Sequence, residues 1–135
     1  MKTEGLVLID TSSWIEALRR TGSKKIQDRV RELMLEGLAA WCDIIRVELW
    51  NGARGDYERK TIAELEEEII CLETTKEVWA LARLLAQECR KKGITVPVSD
   101  LIISSCSLHY IVPLEHCDTH IKIILKTREG VNGKK

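Results

Sequence analysis

Short apolar runs along this chain alternate with longer segments in which apolar residues recur every three or four positions. The short runs, which lie at 6–10, 38–42, 69–72 and 111–114, predict four buried β-strands. The longer segments predict helices at 12–19, 24–36, 43–54, 57–68, 75–92 and 100–110, with a last helix after residue 118. Alternating strands and helices imply right-handed crossovers between parallel strands. The pattern therefore predicts an α/β fold, a three-layer α/β/α sandwich with a short parallel sheet.

The length of 135 residues is enough for one domain with a single core, which we expect over residues 1–127. Glycine and lysine dominate the C-terminal end, so we expect residues 128–135 to form a flexible tail. Acidic and basic residues number 21 each, so any binding of a polyanion must depend on local patches of charge rather than on the whole molecule.

The cysteines and the hydropathy indicate where the protein works. Five cysteines without a C-x-x-C pair, and no secretory leader before the first predicted strand, favour a reducing compartment. No apolar run approaches the roughly 20 residues that a transmembrane helix requires. We therefore expect a cytoplasmic protein that does not associate with a membrane.

Three aspartates lie next to the predicted strand ends or helix starts. Asp10 directly follows the first strand, at the edge of the sheet where α/β proteins bind ligands, and Asp118 follows the fourth strand. Asp100 begins a helix for which Ser99 is the expected cap. Asp10 or Ser12 can also cap a helix, and an acid in a first turn is favoured by the helix dipole. Each of the three aspartates therefore has a structural explanation beside the functional one.

Glu48 lacks such an explanation. The predicted helix at 43–54, which Asp43 can cap, turns an apolar face inward, and Glu48 falls between Ile44 and Ile45 on that face. A carboxylate there is costly unless it is paired or binds a metal. The alternatives are that its side chain reaches out to solvent or that it meets an arginine.

Four carboxylates can converge in this fold, because parallel strands present their carboxyl ends at one edge of the sheet. We call them the acidic quartet: Asp10, Glu48, Asp100 and Asp118. Clustered carboxylates repel one another, and without a cation some would have to take up protons. Mg²⁺ prefers oxygen ligands and is typically held by carboxylates together with a substrate phosphate. Such a site supports phosphodiester hydrolysis through activated water.

In these motifs the chain resembles the PIN-domain nucleases, and most closely the VapC-type toxins of toxin–antitoxin pairs. The resemblance spans nearly the whole chain and depends on the order and spacing of four short motifs. These are Asp10-Thr11-Ser12-Ser13-Trp14-Ile15, Glu48 in an apolar helix, Ser99-Asp100-Leu101-Ile102-Ile103, and Asp118 after a short strand.

The resemblance implies an endoribonuclease that depends on Mg²⁺, with Mn²⁺ as the alternative ion, and the acidic quartet as its catalytic and metal-binding residues. Asp10 and Asp100 would be the principal ligands, and the other two acids would complete the shell, partly through water. Ser12 would orient a carboxylate or a metal-bound water. The resemblance also implies an RNA substrate, a homodimer, and a cognate antitoxin whose C-terminal segment lies over the acidic groove.

The last motif departs from the family pattern. Many members have Asp-x-Asp-Phe or Asp-x-His-Phe there, whereas this chain has Asp118-Thr119-His120-Ile121. Ile121 can replace the phenylalanine in packing, but the missing second aspartate favours a single metal ion over two. His120 is expected either to contact the scissile phosphate or to lie on the helix surface.

Other sites and functions were weighed against this one. A zinc site built from His116, Cys117, Asp118 and His120 is disfavoured, because nothing elsewhere supplies a partner pair and adjacent residues rarely face one ion. A phosphoaspartate enzyme would have a second aspartate at position 12, where this chain has Ser12. A PIN-like binding module without turnover and a housekeeping RNA-processing nuclease remain as alternatives. A neighbouring gene for a DNA-binding antitoxin would favour the toxin over both.

Overall fold

A computed structural model describes residues 2–132 of the chain. In that range four strands are present: β1 (Val7–Ile9), β2 (Ala39–Cys42), β3 (Ile70–Leu72) and β4 (Leu114–Glu115). The same range contains seven helices: α1 (Thr11–Leu18), α2 (Lys24–Leu35), α3 (Asp43–Gly52), α4 (Gly55–Glu68), α5 (Lys76–Lys91), α6 (Val98–Tyr110) and α7 (Thr119–Asn132). No helix among these residues is long and apolar enough to cross a membrane.

The four strands form one parallel sheet in the order β3-β2-β1-β4. The chain runs from β1 outward to β2 and β3 on one side and returns to β4 on the other side. The strand order therefore reverses at β1, and in open α/β sheets ligands bind beside the carboxyl ends of the strands at such a point. Every residue of β1 and β2 is buried, as expected when helices cover both faces. The predicted α/β fold with a parallel sheet is confirmed.

The core beneath the site is closely packed. Trp14 of α1 and Trp41 of β2 are almost completely buried and lie with their ring centroids 5.6 Å apart. Helix α6 is buried at every position from Asp100 to Ser107. The Ser105 hydroxyl donates to the carbonyl of Leu101 at 2.7 Å, so a polar side chain fits into this helix without losing its hydrogen bond. A helix enclosed on all sides holds the carboxylate at its first turn firmly in place.

The fourth strand lies later than predicted. The apolar run at 111–114 was interpreted as a strand, but β4 is Leu114–Glu115. Ile111 instead ends α6 in the left-handed conformation, with φ of 55°, and its side chain is 90% exposed. A branched residue rarely adopts this conformation, so hydropathy alone could not identify the turn.

Two helix caps also differ from prediction. Pro97, not Ser99, occupies the cap position of α6, so the helix begins at Val98. Cys42 occupies the cap position of α3, and Asp43 lies inside its first turn. Neither cap residue makes a side-chain hydrogen bond to its helix. At the C-terminal end, α7 continues to Asn132, into the segment expected as a tail, and 133–135 lie outside the described residues.

Candidate metal centre

Asp10 lies at the carboxyl end of β1 and caps α1. Its Oδ1 accepts the backbone N–H of Ser13 at 3.0 Å, and the Ser12 hydroxyl lies 2.8 Å from both carboxylate oxygens. Burial raises the pKa of Asp10 above its ordinary value, although the hydrogen bonds from Ser13 and Ser12 oppose that rise. The capping and functional interpretations of Asp10 are therefore compatible, because one side chain serves both geometries.

Ser12 connects the two sequence-distant loops of the site. Its hydroxyl donates to the Asp10 carboxylate and also accepts the backbone N–H of Cys117 at 3.1 Å. Cys117 immediately precedes Asp118, so Ser12 joins the turn after β1 to the loop after β4. This is the position that an orienting residue for the carboxylates would need.

Glu48 projects from α3 and is half-buried. The hydroxyl of Thr11 donates to its Oε1 at 2.6 Å. Among residues 2–132 no arginine pairs with Glu48, so the arginine alternative is wrong. The side chain that contacts Glu48 is Thr11. Sequence analysis missed Thr11 as a residue of this site. The available signal was its position between Asp10 and Ser12, at the first turn of a helix next to the sheet edge.

Asp100 is where the four acids interact. It is buried in the first turn of α6, and its pKa is raised to about 6. Burial is the largest cause, followed by the negative charges of Asp118 and Glu48, whereas His120 opposes the rise and Asp10 adds to it. Three carboxylates from distant parts of the sequence are thus close enough to Asp100 to repel its charge.

Asp118 and His120 complete the cluster from the start of α7. Oδ1 of Asp118 accepts the backbone N–H of His120 at 2.7 Å and that of Ile121 at 3.3 Å. The His120 Nδ1 lies 3.5 Å from Oδ1 of Asp118 and 3.7 Å from Oδ2 of Asp100. One ligand atom from each of these three residues lies within 4.8 Å of the others. This group could hold a metal ion. Asp10 and Glu48 of the acidic quartet do not belong to it, and their closeness to Asp100 is seen in the rise of its pKa.

The composition of the cluster fits a divalent cation. Carboxylate oxygens are the ligands that Mg²⁺ and Mn²⁺ prefer, and the mutual repulsion at Asp100 is what a cation would relieve. The zinc alternative gains no support in the described part of the chain, because Cys117 and His116 are absent from the cluster. The Sγ of Cys117 lies 3.5 Å from the hydroxyl of Ser13 instead.

Two cavities lie at the surface, one beside the β4–α7 segment and one beside α1 and α2. A small open cavity of about 220 Å³ contains one acid of the quartet, Asp118, and is lined by residues of the β4–α7 segment: His116, Cys117, Asp118, Thr119 and Lys122. A larger cavity of about 520 Å³ lies between α1 and α2 and is lined by none of the four acids. Of the two, the smaller cavity is the one lined by an acid of the quartet, Asp118, together with a cation, Lys122.

Comparison with known proteins gives a consistent result. A family model described as the PIN domain matches residues 7–124. Among curated proteins, Ribonuclease VapC11 of Mycobacterium tuberculosis is 29% identical over 125 residues, covering 90% of this chain and 92% of that protein.

Two solved structures match the fold at 18% sequence identity. FitAB bound to a DNA fragment has a TM-score of 0.72 and covers 88% of this chain and 90% of its own. VapBC-1 from nontypeable Haemophilus influenzae has a TM-score of 0.71, with coverage of 90% and 92%. At this identity the two structures show a likeness of fold alone.

Proposed function

Because this chain belongs to the PIN domain family, we propose that it is a metal-dependent endoribonuclease and the toxin of a toxin–antitoxin pair. Membership of the family confirms the resemblance carried by the sequence motifs. The similarity to a protein named as a VapC ribonuclease along nearly the whole chain supports the ribonuclease activity. The likeness to VapBC-1 supports its place in a toxin–antitoxin pair.

The convergence of the acidic quartet around Asp100 carries the proposal. A protein without a metal-dependent activity has no need to hold a buried aspartate among three other carboxylates, because their repulsion destabilises the fold. The four acids come from the residue after β1, from α3, from α6 and from the segment after β4, so no single local structure accounts for the cluster.

The residues of the quartet would hold Mg²⁺ or Mn²⁺, with Asp10 and Asp100 as the principal ligands and Glu48 and Asp118 completing the shell. When bound, the ion supplies positive charge that activates water and offsets the negative charge developing at the phosphorus. Ser12 fixes the orientation of Asp10 through its hydrogen bond. Thr11 fixes Glu48 in the same way. These hydroxyls preorganise the carboxylates, so less of the metal's binding energy is spent on ordering them.

RNA would approach along the small cavity that contains Asp118. Lys122 at its rim can attract the phosphate backbone, which offsets the repulsion between RNA and the carboxylates. Local charge of this kind is required because the whole chain is electrically balanced. We further propose a homodimer and a cognate antitoxin whose C-terminal segment covers the acidic groove, as the family resemblance implies.

RNA-end mapping after induced expression tests the proposal and identifies the target at the same time. We expect new RNA ends in cells that express the wild-type chain and none with Asp100→Asn. With purified protein, cleavage of single-stranded or loop RNA should require Mg²⁺ or Mn²⁺ and be abolished by EDTA. Asp10→Asn should have the same effect as EDTA.

Unchanged cleavage by Asp10→Asn would reject the metal-centred mechanism. Absence of any cleavage by a folded, metal-loaded wild-type protein would favour the binding module without turnover. Cleavage restricted to the maturation sites of stable RNA precursors would favour the housekeeping nuclease.

A further inference from the structure

The imidazole of His120 faces the same point in space as two of the proposed metal-binding carboxylates. We propose that His120 supplies a nitrogen ligand to the ion held by Asp100 and Asp118, and that this nitrogen makes the centre prefer Mn²⁺ over Mg²⁺. This inference rests on the proposed metal-dependent function and specifies its cofactor.

The two distances from His120 to the carboxylates suit ligands of one ion. Ligand atoms lie about 2.0–2.3 Å from an ion of this class, so neighbouring ligands are about 3–4 Å apart. The Nδ1 of His120 lies 3.5 Å from Asp118 and 3.7 Å from Asp100, which falls in that range. Both distances are longer than a hydrogen bond, so the imidazole is near the carboxylates without being bonded directly to either.

The backbone at the start of α7 places His120 beside Asp118. Its N–H donates to Oδ1 of Asp118 at 2.7 Å, and the Ile121 N–H donates to the same oxygen at 3.3 Å. One turn at the start of α7 thus fixes the Asp118 carboxylate and the backbone from which the imidazole projects. Ile121, next in the chain, is completely buried and fixes this turn against the core.

The half-exposed ring has a second nitrogen that this role leaves available. An imidazole that uses Nδ1 toward an ion keeps Nε2 for another contact. The scissile-phosphate contact expected from the sequence is therefore compatible with metal ligation by the same residue.

A nitrogen ligand changes which ion the site selects. Mg²⁺ strongly prefers oxygen ligands and keeps several of its waters. Imidazole suits first-row transition metals, and Mn²⁺ also accepts the carboxylates that dominate this site. We therefore expect His120→Asn to weaken Mn²⁺ binding by about tenfold or more and Mg²⁺ binding by much less. His120→Asp, which restores an oxygen ligand, should shift the preference back toward Mg²⁺.

Pulsed electron paramagnetic resonance of the full chain loaded with Mn²⁺ tests the ligand directly, without reference to activity. The chain contains three histidines, so single variants assign any imidazole nitrogen coupling. We expect the coupling in the wild type and in His109→Asn, whose side chain is exposed and stacks edge-on against Tyr110. We expect it to disappear in His120→Asn and in His120→Asp. Calorimetric titration with Mn²⁺ and with Mg²⁺ gives the two affinities of each variant.

The outcomes separate this inference from the proposed function. If Mn²⁺ binds the wild type, binding is lost in Asp100→Asn, and no nitrogen coupling is seen, the inference is overturned and the metal centre stands. Coupling that survives in His120→Asn and disappears in His116→Asn also overturns it. If the folded wild type binds neither ion, the inference and the metal-dependent function both fail. The His120→Asp variant protects the test against a folding defect specific to the asparagine.

Discussion

The hydroxyl of Thr11 donates a hydrogen bond of 2.6 Å to Oε1 of Glu48. The two residues are 37 positions apart and belong to α1 and α3, which pack against each other beside the sheet edge. The bond is short, as expected when a hydroxyl donates to a carboxylate. It resolves the question raised by Glu48, because a carboxylate on an apolar helix face needs a donor and Thr11 provides one.

Replacing Thr11 by valine should weaken both the fold and the metal centre. Valine keeps the shape and removes the donor, so Glu48 is left half-buried without that bond. We expect unfolding free energy to fall by about 1–2 kcal/mol. Mn²⁺ affinity should fall by about tenfold, because the carboxylate is no longer held in position. Chemical denaturation and calorimetric titration measure the two effects.

Thr11→Ser is the matched control, since it keeps the hydroxyl. It should retain metal affinity near that of the wild type. Equal metal affinities of the valine and serine variants would show that the hydrogen bond does not position Glu48.

Asp100 should make the metal-free protein less stable as pH rises. Its pKa in the native state is about 6, above the ordinary value of 3.8, so the native state holds this proton more tightly than the unfolded chain. The stabilisation of the native state by this tightly held proton is therefore fully present below the unfolded pKa of 3.8. It is lost as pH rises through about 6. In EDTA, we expect Asp100→Asn to raise the unfolding free energy by about 1–3 kcal/mol near neutral pH.

The same substitution should have little effect at about pH 4, where Asp100 is already protonated in the native state. Denaturation curves of wild type and variant at the two pH values, both in EDTA, measure this difference. A variant that is less stable than the wild type at neutral pH would contradict the electrostatic account of the acidic quartet.

Ser12 should matter more for catalysis than its contribution to stability suggests. Ser12→Ala removes the donor to Asp10 and the acceptor for the Cys117 N–H. We expect RNA cleavage to fall by about 10–100-fold, as for other residues that orient metal ligands. The rate of cleavage at saturating metal, measured with purified protein, tests this expectation.

Ser107→Ala provides the comparison for Ser12→Ala. The Ser107 hydroxyl is buried and donates to the carbonyl of Val112 at 2.6 Å, at the opposite end of α6 from Asp100. Its loss should lower stability by about 1 kcal/mol and leave cleavage unchanged. If both serine variants lost activity in proportion to stability, Ser12 would be a structural residue only.

Sequence reasoning could select the four acids as candidates because each lies beside a feature that is local in the chain. Asp10 and Asp118 follow strands, Asp100 starts a helix, and Glu48 interrupts an apolar face. The partner of Glu48 was not predictable, because the meeting of Thr11 with it depends on how α1 packs against α3.

Two turns near β4 and α7 also could not be predicted from the sequence. Asp118 accepts the backbone N–H groups of His120 and Ile121, and no hydropathy pattern records the turn that these bonds form. The left-handed conformation of Ile111 likewise shifted β4 from its predicted position. Neither turn leaves a signal in the hydropathy pattern, so the periodicity that predicted the strands and helices could not predict them.

A divalent metal should reverse the stability order of the wild type and Asp100→Asn. Binding to the native state stabilises by an amount that grows with the ratio of metal concentration to dissociation constant, about 2.7 kcal/mol at a hundredfold ratio. The variant lacks a principal ligand and should gain much less. Protons compete for Asp100 below its pKa of about 6, so the stabilisation of the wild type should shrink as pH falls through that value. Thermal unfolding with Mn²⁺ or EDTA, over a series of pH values, measures both trends; equal stabilisation of wild type and variant would place the ion away from Asp100.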